Sequence, residues 1–288
     1  MTVAVSCNLS DGVILGVDSA ITVASAGGVA KVYEQAEKLF QLGNLPIGVA
    51  TFGLGGIRTR TIGSYLREFE MRDPNSALSA RNNLGKVVEE LRSFFYDTYM
   101  DTVAVDVQKE TGKPISEVPE PKRPKLGFVV GGFSPDSFLS EVWGLVIPTH
   151  DKPNSADQIR KPGEFGTNWF ASYEPIQRYI KGYTIALADE LVGYFVKQRR
   201  FPLTQSEQND IGNLLSKFEY RIPYSAMPIR EGIEHVRFLV GMVVNHHRFA
   251  VGAPIVGGKV NIGLVTYKGE QFRILHEIGD EYSVQSRS

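Results

Sequence analysis

Three residues near the start of the chain, Thr2, Asp18 and Lys38, are of types that can cooperate in chemistry. A threonine hydroxyl is a weak nucleophile until a neighbouring base accepts its proton, and a free α-amine on the same residue can be that base. The reference pKa of such an amine, about 7.7–8.0, lies near working pH, where general-base catalysis is most effective. A lysine beside the pair stabilises the developing alkoxide and depresses the amine's pKa by like-charge repulsion, and an aspartate keeps that lysine charged and in place. The amine exists only after Met1 is removed, because an amide nitrogen cannot act as the base. Threonine is small enough for an aminopeptidase to clear Met1 ahead of it, so no long propeptide is expected.

The elements that must position these groups are legible as patterns. Alternating apolar residues mark strands at about 2–9, 13–19, 38–42 and 46–52. For the first hairpin, a two-residue Asp11-Gly12 turn would set Asp18 opposite Val5 among valines, at a steep desolvation cost. A three-residue Ser10-Asp11-Gly12 loop, with Gly12 left-handed, pairs Leu9 with Val13 and Ala4 with Asp18. In that register Thr2 and Asp18 share a face as diagonal neighbours about 7–8 Å apart. The segment "EKLFQL" then offers Lys38, on the face of Phe40 and Leu42, as the cation between them.

Helices are expected at about 55–72 and 77–110, and an exposed proline-rich loop at 112–125. A second hairpin turns at Ser134-Pro135-Asp136, helical segments follow near 169–181, 183–199, 204–219 and 229–248, and a third hairpin turns at Lys268-Gly269. Strands and helices in this order suit an α+β protein with antiparallel sheets covered by helices. No repeat or Gly/Ser-rich linker divides residues 1–288, so one domain is expected.

Composition narrows the function classes. Thirty-one basic against 32 acidic residues give a net charge of −1, which argues against nucleic-acid or anionic-membrane partners. Cys7 is the single cysteine, so no intrachain disulfide forms; with no signal peptide or membrane span in the pattern, a cytoplasmic location is expected. Cys7 reads as a small core residue, and Trp143 and Trp169 as core or interface aromatics. "GLGG" lacks a full nucleotide fingerprint, although a phosphate-ligand module there is one rival reading. The adjacent histidines of "NHH" (245–247) face different ways on a helix, so no metal is expected.

These residues resemble a family, the proteasome β-type subunits and HslV-type peptidases, which are N-terminal nucleophile hydrolases. The likeness lies in "TVAVSCNLSDGVILGVDSAITVASAGG", "EKLFQL" and "GVATFGLGGIRTRTIGSYLREFE", roughly residues 2–70, and in the closing "GGKVNIGLVTYKG". Divergence and extra length look most like the minor bacterial proteasome homologues. The resemblance implies a four-layer αββα sandwich and a threonine peptidase with Thr2 as nucleophile, Asp18 and Lys38 as its partners and Gly53 N–H in the oxyanion hole. Thr22 falls on the residue whose backbone pairs with an extended substrate, and Ile21, Ala36, Thr51 and Gly55 fall near the pocket for the side chain preceding the cut. No cofactor is implied. The implied partners are peptide or unfolded-protein substrate, copies of the same chain in rings, expected as two stacked heptamers, and an ATP-dependent unfoldase or other regulator. One departure stands out: the family's supporting aspartate and serines before the last Gly-Gly are missing from "HRFAVGAPIVGGKV", and a second supporting serine is expected near "EFGTNWFASYEPIQRYIKG". That departure motivates the alternatives of a catalytically inactive ring or scaffold and of an amidohydrolase acting on a small amide.

Overall fold

The computed structural model describes residues 2–25, 28–72, 83–135, 137–148, 156–199, 201–251, 255–267, 273–278 and 281–285. The chain opens with two antiparallel hairpins, β1 (Val3–Leu9) with β2 (Gly12–Asp18) and β3 (Ile21–Ser25) with β4 (Gly28–Tyr33), followed by β5 (Leu39–Gln41) and β6 (Ile47–Gly53). A small ladder, β7 (Gly56–Ile57) with β8 (Arg60–Thr61), leads into α1 (Ile62–Met71). Next come α2 (Leu84–Tyr99), a π-helical turn at Met100–Ala104 and α3 (Val105–Thr111). Four strands follow: β9 (Leu126–Gly132), β10 (Glu141–Ile147), β11 (Asp157–Arg160) and β12 (Gly166–Ala171). The helices α4 (Glu174–Lys181), α5 (Ile185–Arg199), α6 (Gln205–Ser216) and α7 (Ile229–Phe249) precede β13 (Val260–Thr266), β14 (Arg273–Ile278) and β15 (Glu281–Gln285).

Two compact units result: Met1–Ser172 with Tyr224–Ser288, and Tyr173–Pro223. The first is an α+β sandwich of four layers. One sheet runs β12-β1-β2-β13-β14-β15 and the other β11-β10-β9-β6-β5. Between them lies an apolar layer that includes Ala4, Val13, Leu15, Val17, Leu39, Ala50 and Val129. The outer face of the first sheet packs under α7, whose valines approach so closely that a Cβ on Gly16 would fall 2.3 Å from Val236 Cγ1. The outer face of the second sheet is covered by α1 and α2 through Tyr65, Phe69, Val88, Leu91 and Phe95 against Val49, Phe128 and Val130.

The second unit holds α4, α5 and α6. Gly182, at φ +75°, ends α4, and a Cβ there would come 2.8 Å from Phe218 O. A reciprocal capping box, Thr204 with Glu207, starts α6. Tyr179 and Tyr220 stack at 5.8 Å.

Four sequence expectations need correction. The first hairpin closes on Ser10-Asp11 alone and pairs Leu9 with Gly12 and Ala4 with Val17, one residue from the expected register. Every residue of β1 and β2 is buried, because one face meets a helix and the other a sheet, so polarity could not choose the register. Gly12 is nearly extended, and what it provides is a close approach: a Cβ would lie 2.4 Å from Val265 O on the neighbouring strand. Residues 56–61 form the β7–β8 ladder, not the first turn of a helix. Residues 169–171 end a strand, pairing Val3 with Ala171 and Val5 with Trp169, and the helix begins only at Glu174, where Pro175 suits a first turn. Of the expected turns, Asp136 and Lys268-Gly269 lie outside the described residues.

Candidate active site

The site is built where β1, β2 and the segment before β5 end together. Continuing the β1–β2 ladder sets Val3 across from Asp18, and Val3 N–H donates to Asp18 Oδ1 at 3.1 Å. Lys38 sits one residue ahead of β5, pinned by Thr51 N–H donating to its carbonyl at 2.8 Å. From there its side chain runs inward, and Lys38 Nζ donates to Thr2 Oγ1 at 2.9 Å and to Asp18 Oδ1 at 3.0 Å. Thr2 and Asp18 therefore come from opposite faces of the hairpin, not the same face as expected, and the lysine joins them at the strand ends. All three are buried, with 3%, 0% and 4% of their surfaces exposed.

A fully buried carboxylate needs compensating donors. Asp18 has four: Lys38 Nζ, Val3 N–H, Ala20 N–H at 3.2 Å and Gly257 N–H at 3.2 Å. The Gly-Gly pair of the sequence thus has a structural purpose. Gly257 supplies an amide to Asp18, and Gly258, at φ +74°, lets the chain pass where a Cβ would be 2.5 Å from Glu34 O and Ser19 Oγ. Burial pulls the Lys38 ammonium below the ordinary lysine range, and the charge and hydrogen bond of Asp18 hold it up in part. A lysine of this kind is a strong donor to Thr2 Oγ1.

Gly53 closes β6 at φ +85°, where a Cβ would fall 2.0 Å from Lys125 O, so only glycine fits. Because Thr51 N–H points to Lys38, strand alternation puts Gly53 N–H on the same edge, past the start of β5. Ile21 and Ala36 line one surface depression, and Gly55 abuts Ile21, where a Cβ would lie 2.8 Å from Ile21 Cδ1. Thr51 is buried under the Lys38 backbone, its Oγ1 3.4 Å from Lys38 O. A second cleft, lined by Ser19, Ala36, Lys38, Leu39, Lys259 and Asn261, reaches the lysine itself. Thr22 pairs with Val32 in a two-stranded sheet whose other edge carries no strand among the described residues, and its buried Oγ1 has no hydrogen-bond partner there.

Beside Thr2 stands Ser172, the serine of the segment where a supporting serine is expected, and behind it His247, which sequence reasoning did not single out. Ser172 N–H donates to Thr2 O at 2.9 Å, and Ser172 Oγ lies 2.7 Å from His247 Nε2. A signal for His247 was present. It continues the buried stripe Val236, Val240, Val243 of α7 at helical spacing, whereas His246 is exposed. Cys7 is fully buried and its thiol is pushed up to about 11 by burial, so it is a poor nucleophile. Among the described residues no cluster of His, Cys, Asp and Glu is arranged to hold a metal ion, and no helix is long and apolar enough to cross a membrane.

The histidines give a stability prediction. Burial lowers the pKa of His235, whose ring lies near Tyr224, and of His247, below the ordinary value of 6.5. Below 6.5 the unfolded chain then binds more protons than the folded one, so stability falls as pH drops toward the folded values. The melting temperature should be lower at about pH 5.5 than at about pH 7.5, and the drop smaller in His235→Gln. Equal drops in both proteins would contradict this.

No protein-family model matches the chain, and no curated protein matches it in sequence. Solved structures do. The helical assembly of the Anbu complex from Pseudomonas aeruginosa matches at 13% identity over 97% of this chain and 88% of that one, with a TM-score of 0.50. Anbu, an ancestral beta-subunit, from Yersinia bercovieri matches at 11% identity over 96% and 87%, with a TM-score of 0.48. A Gly-1 mutant of Anbu from Hyphomicrobium sp. strain MC1 matches at 10% over 99% and 87%, also at 0.48. The expected assignment to the proteasome β-type and HslV-type subunits is therefore corrected: the structural likeness is to Anbu proteins, a distinct proteasome-like family. At these identities the likeness concerns the fold, which is that of N-terminal nucleophile hydrolases.

Proposed function

We propose that this chain is a threonine-type peptidase whose nucleophile is Thr2, freed by removal of Met1. The observation that carries the reading is the buried contact of Lys38 Nζ with both Thr2 Oγ1 and Asp18 Oδ1. An ammonium aimed at a hydroxyl favours the alkoxide that attack requires, and Asp18 keeps the ammonium from being lost to burial. In this mechanism Thr2 Oγ1 attacks the scissile carbonyl as its proton passes to the α-amine. The carbonyl oxygen takes the negative charge at Gly53 N–H, and the α-ammonium returns the proton to the leaving amine. Water then hydrolyses the acyl ester, with the same amine as base, and Oγ–H is restored. An extended peptide can pair with the β3 edge at Thr22, which carries no other strand among the described residues, and place a side chain in the depression at Ile21 and Ala36.

The substrates proposed are peptides or unfolded polypeptides, and the working form a homo-oligomer. The second unit exposes large apolar side chains, Leu187, Tyr194, Phe201, Leu214 and Phe218 among them, that association would cover. Electron microscopy of the purified protein distinguishes closed rings from a helical assembly, as named for the Pseudomonas aeruginosa protein.

The test of the chemistry is Thr2→Ala. Cleavage of blocked fluorogenic tripeptides should fall by about 10³-fold or more, with part retained in Thr2→Ser. Unchanged cleavage in Thr2→Ala would refute the threonine reading.

A further inference from the structure

The sequence lacks the acid expected to support Thr2 from the segment before Gly257, yet the position beside the threonine is not apolar. Ser172 is fixed there by its N–H bond to Thr2 O, 2.9 Å. In a strand, a residue's N–H and C=O leave on the same edge. Thr2's own nitrogen is therefore directed to the Ser172 edge, and Val3 N–H, one residue on, to the Asp18 edge, where its 3.1 Å bond is observed. The reactive residue has two supports on two edges, lysine with aspartate on one and serine with histidine on the other.

Resting on the threonine reading, we infer that His247 is a positioning residue that acts on the Thr2 amine through Ser172, in place of the missing acid. Ser172 Oγ lies 2.7 Å from His247 Nε2. With Nδ1 protonated and Nε2 bare, the imidazole accepts the serine proton, which leaves the serine oxygen to accept from the α-ammonium and turns the amine toward Oγ1. The helix supports this role: α7 packs its Val236, Val240 and Val243 stripe on the first sheet, and His247 is the next residue on that stripe, at the helix's C-terminal end. No bond is made or broken in the support itself, and the proton that moves during catalysis stays between Thr2 Oγ1, the amine and the leaving group.

An imidazole differs from a carboxylate in one way that can be measured, because it titrates near neutrality. The charged or titratable groups around it are His246 on its own helix, with ring centroids 5.6 Å apart, Asp18 from β2 and the N-terminal amine of the chain. On β13 no residue from Val260 to Thr266 is charged. When His247 is protonated it donates to Ser172, the serine proton must turn toward the amine, and the amine loses its acceptor.

The experiment compares wild type, His247→Ala and His247→Glu, the last restoring an acceptor of similar reach. In His247→Ala, kcat on a blocked tripeptide should fall about tenfold with KM within about twofold. His247→Glu should recover to within about threefold of wild type, and its acid limb should move to lower pH. A His247→Ala kcat within twofold of wild type, or an acid limb unmoved in His247→Glu, overturns the inference. A second readout does not need turnover. NMR of the imidazole nitrogens at high pH should show Nε2 unprotonated in wild type and a mixed tautomer in Ser172→Ala, and a protonated Nε2 in wild type overturns the inference by itself. Should Thr2→Ala leave cleavage intact, it is the threonine reading that fails, and the tautomer measurement still decides whether His247 serves Ser172.

Discussion

Asp18→Ala is expected to destabilise the protein by about 3–5 kcal/mol, the cost of leaving one member of a buried ion pair without its partner. Asp18 is fully buried and Lys38 nearly so. Removing the carboxylate strands the lysine charge at 3.0 Å from an empty position and takes the acceptor from Val3, Ala20 and Gly257 N–H. Each orphaned buried amide adds its own desolvation penalty. Those amides belong to β1, to the segment after β2 and to the approach to β13, so the loss spreads across the first sheet. Chemical denaturation of the variant and wild type measures it. A second substitution, Lys38→Met, should recover part of the loss, because it removes the uncompensated charge. A destabilisation below about 1 kcal/mol would show that the pair does not hold this end of the sheet together.

Lys38→Met alone should lose more in turnover than in stability. Methionine is close to lysine in length and fills the channel without a charge, and Asp18 keeps its three backbone donors. Stability should also fall, because the fully buried Asp18 loses its counter-charge, but by less than in Asp18→Ala, since no backbone amide is orphaned. Turnover should fall about 10³-fold, comparable to removing a preorganised donor from a developing charge, with KM nearly unchanged. Measured on tripeptide cleavage, a kcat within about tenfold of wild type would remove Lys38 from the chemistry.

What the sequence made legible follows from where local pattern was sufficient. The strands that begin just after Thr2 and Lys38, the strand that ends at Asp18 and the long helix ending at Phe249 are written in periodicity. The register of the first hairpin was not, because a sheet buried on both faces offers no polar side to orient it. The β3–β4 hairpin and β12 were also missed. "ITVAS" and "GVAKVY" are short, and "NWFAS" runs into a segment with helical spacing, so only tertiary pairing with β1 makes it a strand. A supporting serine was expected in this segment, whose one serine is Ser172, but its place beside Thr2 follows only from that pairing. His247 could have been recognised, since it extends an apolar stripe on α7, but a histidine at such a place is equally consistent with packing until its partner is seen. The family resemblance pointed to the right kind of fold, while the structural likeness is to Anbu proteins and not to the subunits it named.

Catalysis by Thr2 requires a free amine beside its hydroxyl, and intact-mass analysis of the natively expressed chain, before and after exposure to a peptide vinyl sulfone, tests that most directly. The expected result is a chain lacking Met1 that gains a single adduct, mapped by peptide sequencing to Thr2. A chain that retains Met1, or that takes the adduct at any other residue, would contradict it.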